Sequence, residues 1–233
     1  MYKGLPTVIA SYPLDSQALD ILHKQFHRYL GIYPQMLAVR VSLTPTRLNR
    51  GSAETNFQKF SNKLQQVVDK WLREEGVEDV CKLSFVFSST QEGRLYVTAW
   101  FNLSVFQLLT PYKVRRLIQD WFLLSWARSM NSWPEQIRHL VKYPKQHSFI
   151  PLIPGTELYK ESVKLAFYHM TSLTKQMIST EGELLSNFRF MEGYTTWFGN
   201  VRNPRFFHCK RGNIEFIQTK PKEPIEYGIF SSL

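Results

Sequence analysis

The run Glu92 to Asn102, EGRLYVTAWFN, constrains this chain most, because its side chains alternate. Leu95, Val97, Ala99 and Phe101 share one parity, and Arg94, Tyr96, Thr98, Trp100 and Asn102 share the other. Side chains of a strand point to opposite faces with period two, so the run predicts a strand with one apolar face and one mixed face. Two further runs alternate in the same way. QMLAVRVSLTP (Gln35 to Pro45) sets Leu37, Val39, Val41 and Leu43 against Ala38, Arg40 and Ser42, and Pro45 stops it. DVCKLSFVFSST sets Cys81, Leu83, Phe85 and Phe87 against Lys82, Ser84, Val86 and Ser88. The short polar link STQEG makes the last two strands a hairpin.

Helical spacing fills the gaps. Leu14, Ala18, Leu19, Leu22, Phe26 and Leu30 recur at helical intervals, with Asp15 or Ser16 as the cap. Glu54 to Glu75 carries Phe57, Phe60, Leu64, Val67, Val68, Trp71 and Leu72 on one face and ends at Gly76. Pro111 opens a helix to Met130. IRHLVKYPKQHSFIPLIP reads as a fourth strand, and Thr156 to Ile178 as a further helix. RFFHCKRGNIEFIQTK reads as a terminal hairpin turning at Arg211 to Asn213. From Gln35 the order is β-α-β-β-α-β-α. This predicts an α+β fold with a single antiparallel-rich sheet, helices mainly on one face and an irregular C-terminal extension. The expected division is a helical segment 1–34, a main domain 35–195 and a basic, aromatic extension 196–233.

The mixed face then gathers Arg40, Ser42, Lys82, Ser84, Ser88, Arg94, Tyr96, Thr98 and Trp100. Two readings follow. Cations with aromatic plates suit a nucleic-acid strand, through phosphate pairing and base stacking. Alternatively, the terminal segments cover the face and its aromatics pack inside. Charge favours a polyanionic partner: 29 basic residues against 19 acidic give +10. With 43% apolar residues the chain can bury a core, and no apolar run is long enough to span a membrane. The N-terminal stretch has no signal-peptide pattern, and two widely spaced cysteines are what a reducing cytoplasm is expected to leave. No glycine-rich phosphate loop, H-E-x-x-H or Gly-x-Ser-x-Gly occurs, so no enzymatic signature is found and no small-molecule cofactor is expected.

The element order, with LAVRVSL before the first long helix, the strand ending in WFN, and LAFYHMTSLTK followed by SNFRF, resembles the replication-initiator-like proteins of filamentous phages and prophages. These are relatives of the rolling-circle HUH endonucleases, and the resemblance covers about Gln35 to Thr195. It implies an HUH-like scaffold. In that scaffold a His-x-His pair and a neighbouring acid hold a divalent metal, and a helical tyrosine attacks the phosphodiester. Carried onto this chain, the His-x-His positions hold Arg94 and Tyr96. The acidic position falls near Ser88 or Ser89, the nucleophile position on Ser172 and the following lysine on Lys175. None of the six histidines forms His-x-His. The resemblance therefore implies a scaffold stripped of nicking chemistry, with Arg94 supplying fixed charge where a scissile phosphate would lie.

The expected nucleic-acid contacts are Arg40, Lys82, Arg94, Tyr96, Trp100 and Lys175. To these are added Lys113, Arg115 and Arg116 of KVRR, and Arg202, Arg205, Lys210 and Arg211 of the tail. The leading expectation is a catalytically degenerate DNA- or RNA-binding factor of a mobile element. Its rivals are a module that engages or inhibits another nucleic-acid machine through a protein contact, and a divergent nickase using Tyr168 or another tyrosine.

Overall fold

The computed structural model describes residues 1–8, 13–33, 35–47, 51–77, 81–178, 184–186 and 188–192. The extension 196–233, with its expected hairpin and Arg202, Arg205, Lys210 and Arg211, lies outside the described residues.

In chain order, α1 (Ser16–Ile32) leads into β1 (Met36–Leu43), and α2 (Ala53–Glu74) into the hairpin β2 (Ser84–Ser89) and β3 (Leu95–Asn102). Next come α3 (Pro111–Ser129), the single turn α4 (Pro134–Ile137), and the short strands β4 (Val141–Lys142) and β5 (Phe149–Leu152). α5 (Tyr159–Thr171) precedes β6 (Gln176–Ile178), β7 (Leu184–Ser186) and β8 (Phe188–Glu192). The fold is α+β around an antiparallel sheet of order β4-β1-β3-β2-β8, with β5 also paired to β1 and with β6–β7 a separate ribbon. Among the described residues no helix is long and apolar enough to cross a membrane.

Local chemistry accounts for the boundaries. Asp15 caps α1, accepting from the backbone N–H groups of Gln17 and Ala18. α2 stops in a Schellman turn: Val77 N–H donates to Leu72 C=O at 2.9 Å, Gly76 N–H to Arg73 C=O at 3.3 Å, and Gly76 takes φ +66°. Gly93, at φ +77°, closes the β2–β3 hairpin, where its N–H donates to Thr90 C=O.

Two expectations change. The fourth strand is two strands, both paired with β1: Lys142 stands opposite Ser42, and Phe149 opposite Val39. The last helix ends early, at Thr171, and the chain passes through one 3₁₀ turn into β6. Its end is rich in hydroxyls that bond back to the preceding turn: Thr171 donates to Tyr168 C=O, Ser172 to His169 C=O and Thr174 to Thr171 C=O. Such side chains compete with the helical ladder and favour its termination.

The expected face of the sheet, carrying Val39, Phe85 and Val97, packs against α2 and α3. Phe57 stacks on Phe87 with ring centroids 3.8 Å apart, and buried Gln65 ties α2 to the backbone at Cys81 and Leu83. The helices are not mainly on one face, however. α1 and α5 lie on the other and share a second core with Met36, Ala38, Val86 and Trp100. The covered reading of the mixed face therefore holds over part of it.

Candidate functional site

Strand register divides the mixed face into three rows across β1, β3 and β2. They are Ala38–Trp100–Ser84, Arg40–Thr98–Val86 and Ser42–Tyr96–Ser88. The first row is sealed. Trp100 is 0% exposed, with the rings of Tyr29 at 5.0 Å and Phe26 at 6.1 Å above it. No base can stack on Trp100, which corrects its expected role as a nucleic-acid contact. Its indole belongs to the core, where a fully buried large side chain contributes about 1.5–3 kcal/mol.

The other two rows open into a cavity of about 420 Å³. β1 and β3 form its floor through Arg40, Ser42, Tyr96 and Thr98, and Ser88 of β2 joins them. Lys142, Tyr143 and Pro144 form one wall; His169, Ser172, Leu173 and Lys175 form another. Three cations from three parts of the chain thus meet at one concavity, and none of its described lining residues is acidic. Tyr96 remains 41% exposed beside them, so its ring is reachable from solvent.

The wall positions are fixed by backbone. β4 brings Lys142 opposite Ser42. Arg40 N–H donates to Ser148 C=O, and the Arg40 guanidinium donates to His147 C=O at 3.4 Å, so the β4–β5 loop is laced to the floor. Asp15 N–H donates to Thr174 C=O at 2.8 Å, and Leu14 bridges Lys175, which stitches the start of α1 to the end of α5. Val8 N–H donates to the Thr171 hydroxyl and adds the N-terminal strap to the same join.

The electrostatics follow from this packing. Burial depresses the pKa of the Arg40 guanidinium below its ordinary value, yet arginine stays charged. Burial first, then the charges of Arg40 and His147, push the His169 imidazole down to about 4. Its ring lies 5.4 Å from that of His147. Tyr143 is held protonated by burial and by the nearby Asp120 carboxylate, against the opposing pull of Arg115.

The other expected residues are placed elsewhere. Arg94 is exposed at the entrance to β3 and does not line the cavity. Lys82 precedes β2 at the sealed end, where its carbonyl accepts from the Tyr33 hydroxyl. Lys113 and Arg116 are exposed on α3, in the layer behind the sheet, and Arg115 sits over the Phe149 ring at 5.4 Å. Sequence reasoning missed Lys142, His147 and His169. Lys142 came into place only when the fourth strand divided.

Of the positions given by the resemblance, Tyr96, Ser172 and Lys175 line this one cavity, as does Ser88 of the Ser88 or Ser89 alternative. Tyr168 is not among its described lining residues. The described donors do not fit a divalent metal: among the described residues the lining offers hydroxyls, cations and a single imidazole, with no carboxylate. Among the described residues no group of three or more His, Cys, Asp or Glu is assembled for a metal. Compared with family models, curated proteins and solved structures, the chain matches none of them.

Proposed function

We propose that this chain is a nucleic-acid-binding factor of a mobile genetic element, built on an initiator-like scaffold without its nicking chemistry. It contacts the phosphate backbone at the cavity formed by Arg40, Lys142 and Lys175. The observation that carries this reading is the meeting of those three cations with an exposed tyrosine in a concavity whose described lining holds no acidic residue. Converging positive charge offsets phosphate repulsion, and an aromatic ring beside it offers a face for an unpaired base. Tyr96, Ser88, Ser172 and Lys175 lie there too, and none of the four is a carboxylate or an imidazole that would hold a nickase's metal, which supports binding without metal-assisted cleavage.

The test is binding of labelled DNA and RNA oligonucleotides over a salt series, with magnesium and manganese present. Affinity falls linearly on a log–log plot against salt, with a slope of about 0.7–0.9 per phosphate neutralised. No cleaved strand and no covalent adduct forms. An adduct that disappears in Tyr168→Phe would replace this reading with a divergent nickase. Failure to bind at any salt would favour the protein-partner alternative.

A further inference from the structure

Two side chains lining this cavity, Tyr143 and His169, leave a buried polar atom unpaired among the described residues, and of these the His169 imidazole can take up a proton. The side chain reaches in from α5, and its Nε2 atom is buried with no hydrogen-bond partner among the described residues. The groups that face it are Arg40 from β1, His147 from the β4–β5 loop and Tyr168 from α5 itself. Lys142 and Lys175 line the same space. Among the described residues these surroundings are cationic or neutral. A buried ring nitrogen without a partner acquires one if an acceptor enters and the ring takes up a proton.

We propose that the cavity is a proton-linked phosphate site: a phosphodiester held by Arg40, Lys142 and Lys175 draws a proton onto His169, so nucleic acid binds more tightly in mild acid. This rests on the nucleic-acid reading above and adds a titrating residue to it.

The signs are as follows. Without ligand, burial and the neighbouring cations keep His169 neutral until about pH 4. A phosphate oxygen at the cavity brings the opposite charge and an acceptor, and both favour the imidazolium. The pKa of the complex then lies above that of the free protein. Affinity rises as pH falls through the complex's value and levels off below the free protein's value. One proton passes from solvent to the ring, both ring nitrogens then carry hydrogen, and no covalent bond to the ligand forms. The Arg40 guanidinium stays charged throughout. His147 is the other imidazole beside it, with ring centroids 5.4 Å apart, so it is the necessary control.

The probe is an oligo-thymidylate without a terminal phosphate, carrying a label insensitive to pH; its phosphodiesters and bases hold their charge between about pH 5 and 8, where histidine switches. Binding to the full chain is measured by anisotropy at constant ionic strength. Affinity is expected to rise on the order of tenfold from about pH 7.5 to about pH 5, as a complex with a near-ordinary histidine pKa requires. His169→Gln removes most of that rise, while His147→Gln keeps most of it. Calorimetry near pH 6 in buffers of different ionisation heat shows proton uptake in the native chain and not in His169→Gln. A flat pH profile with intact binding, or a slope that survives His169→Gln, overturns the proton link and leaves the nucleic-acid reading standing. Absence of binding at both pH values overturns both. If His169→Gln does not fold, the His169 ring resonance of the native chain decides: a titration moved upward by the oligonucleotide supports the site, and an unmoved one overturns it.

Discussion

Trp100 and Tyr96 lie on the same face of the same strand, about 13 Å apart at 3.3 Å per residue, and they meet opposite fates. Trp100 is fully enclosed by Phe26, Tyr29 and their neighbours, whereas Tyr96 stands at the edge of an open, cationic cavity. Side-chain parity is identical for the two. What differs is the layer above them. α1 and the body of α5 bring aromatic and aliphatic side chains over the first, and the hydroxyl-rich end of α5 and the β4–β5 loop surround the second. An aromatic on a sheet face is thus a core residue or a contact surface according to what packs over it, and its own strand does not decide which.

The sharpest way to break this contrast is by truncation. Trp100→Ala should destabilise the fold by about 3–5 kcal/mol in urea denaturation, since it removes a large buried ring. Tyr96→Ala should stay within about 1 kcal/mol. Equal losses would show that the two ends are not differently packed. Binding should invert the order. With folded protein, Tyr96→Ala costs about 1–3 kcal/mol of single-strand affinity if a base stacks there. Arg40→Ala, Lys142→Ala and Lys175→Ala each flatten the salt slope by about one unit. Should Lys175→Ala bind as the native chain does while Arg40→Ala does not, the contact lies on the floor of the cavity and not on its α5 wall.

Acid gives a further test of the open end. His169 is neutral in the folded protein well below the pH at which an unfolded histidine charges. Its folded pKa is the lower one, so the unfolded chain binds more protons between the two values. Stability is therefore full above about pH 6.5 and declines as pH falls toward about 4, where the loss levels off. Thermal melts of the native chain and of His169→Gln check this, the variant showing the shallower decline. The smallest effect is expected behind the sheet. Lys113→Ala and Arg116→Ala sit in the α3 layer and should change affinity by less than about 0.5 kcal/mol. A larger loss would move the interface to α3.

Much of the architecture was legible because it rests on local patterns. Alternation placed β1, β2 and β3, and with them the Val39, Phe85 and Val97 face against α2 and α3. Caps and punctuation placed Asp15 at the start of α1 and Gly76 beyond α2. The misreadings lie where local signals compete. Leu173, Met177 and Ile178 continue a helical spacing, but the hydroxyls of Thr171, Ser172 and Thr174 turn back on the helix and end it. The segment Ile137 to Pro154 holds three prolines and two short strands, and its pairing with β1 depends on residues about a hundred positions away. The site was legible in pieces: Arg40, Tyr96 and Lys175 were named, while Lys142 and His169 came with the packing.

By itself, the sequence determined which residues form strands and helices, which side chains share a face, and that the chain carries excess positive charge. Periodicity and turn chemistry act between residues a few positions apart, so they can be read in any short window. Only the tertiary structure decided that α1 and α5 close one end of the mixed face and leave the other open, and that Arg40, Lys142 and Lys175 meet there. That outcome follows from burying aromatic surface between elements distant in the chain. The Trp100 end offered apolar partners to α1 and α5, and the Arg40 and Tyr96 end offered a guanidinium and a phenol whose polar groups are costly to bury unless paired.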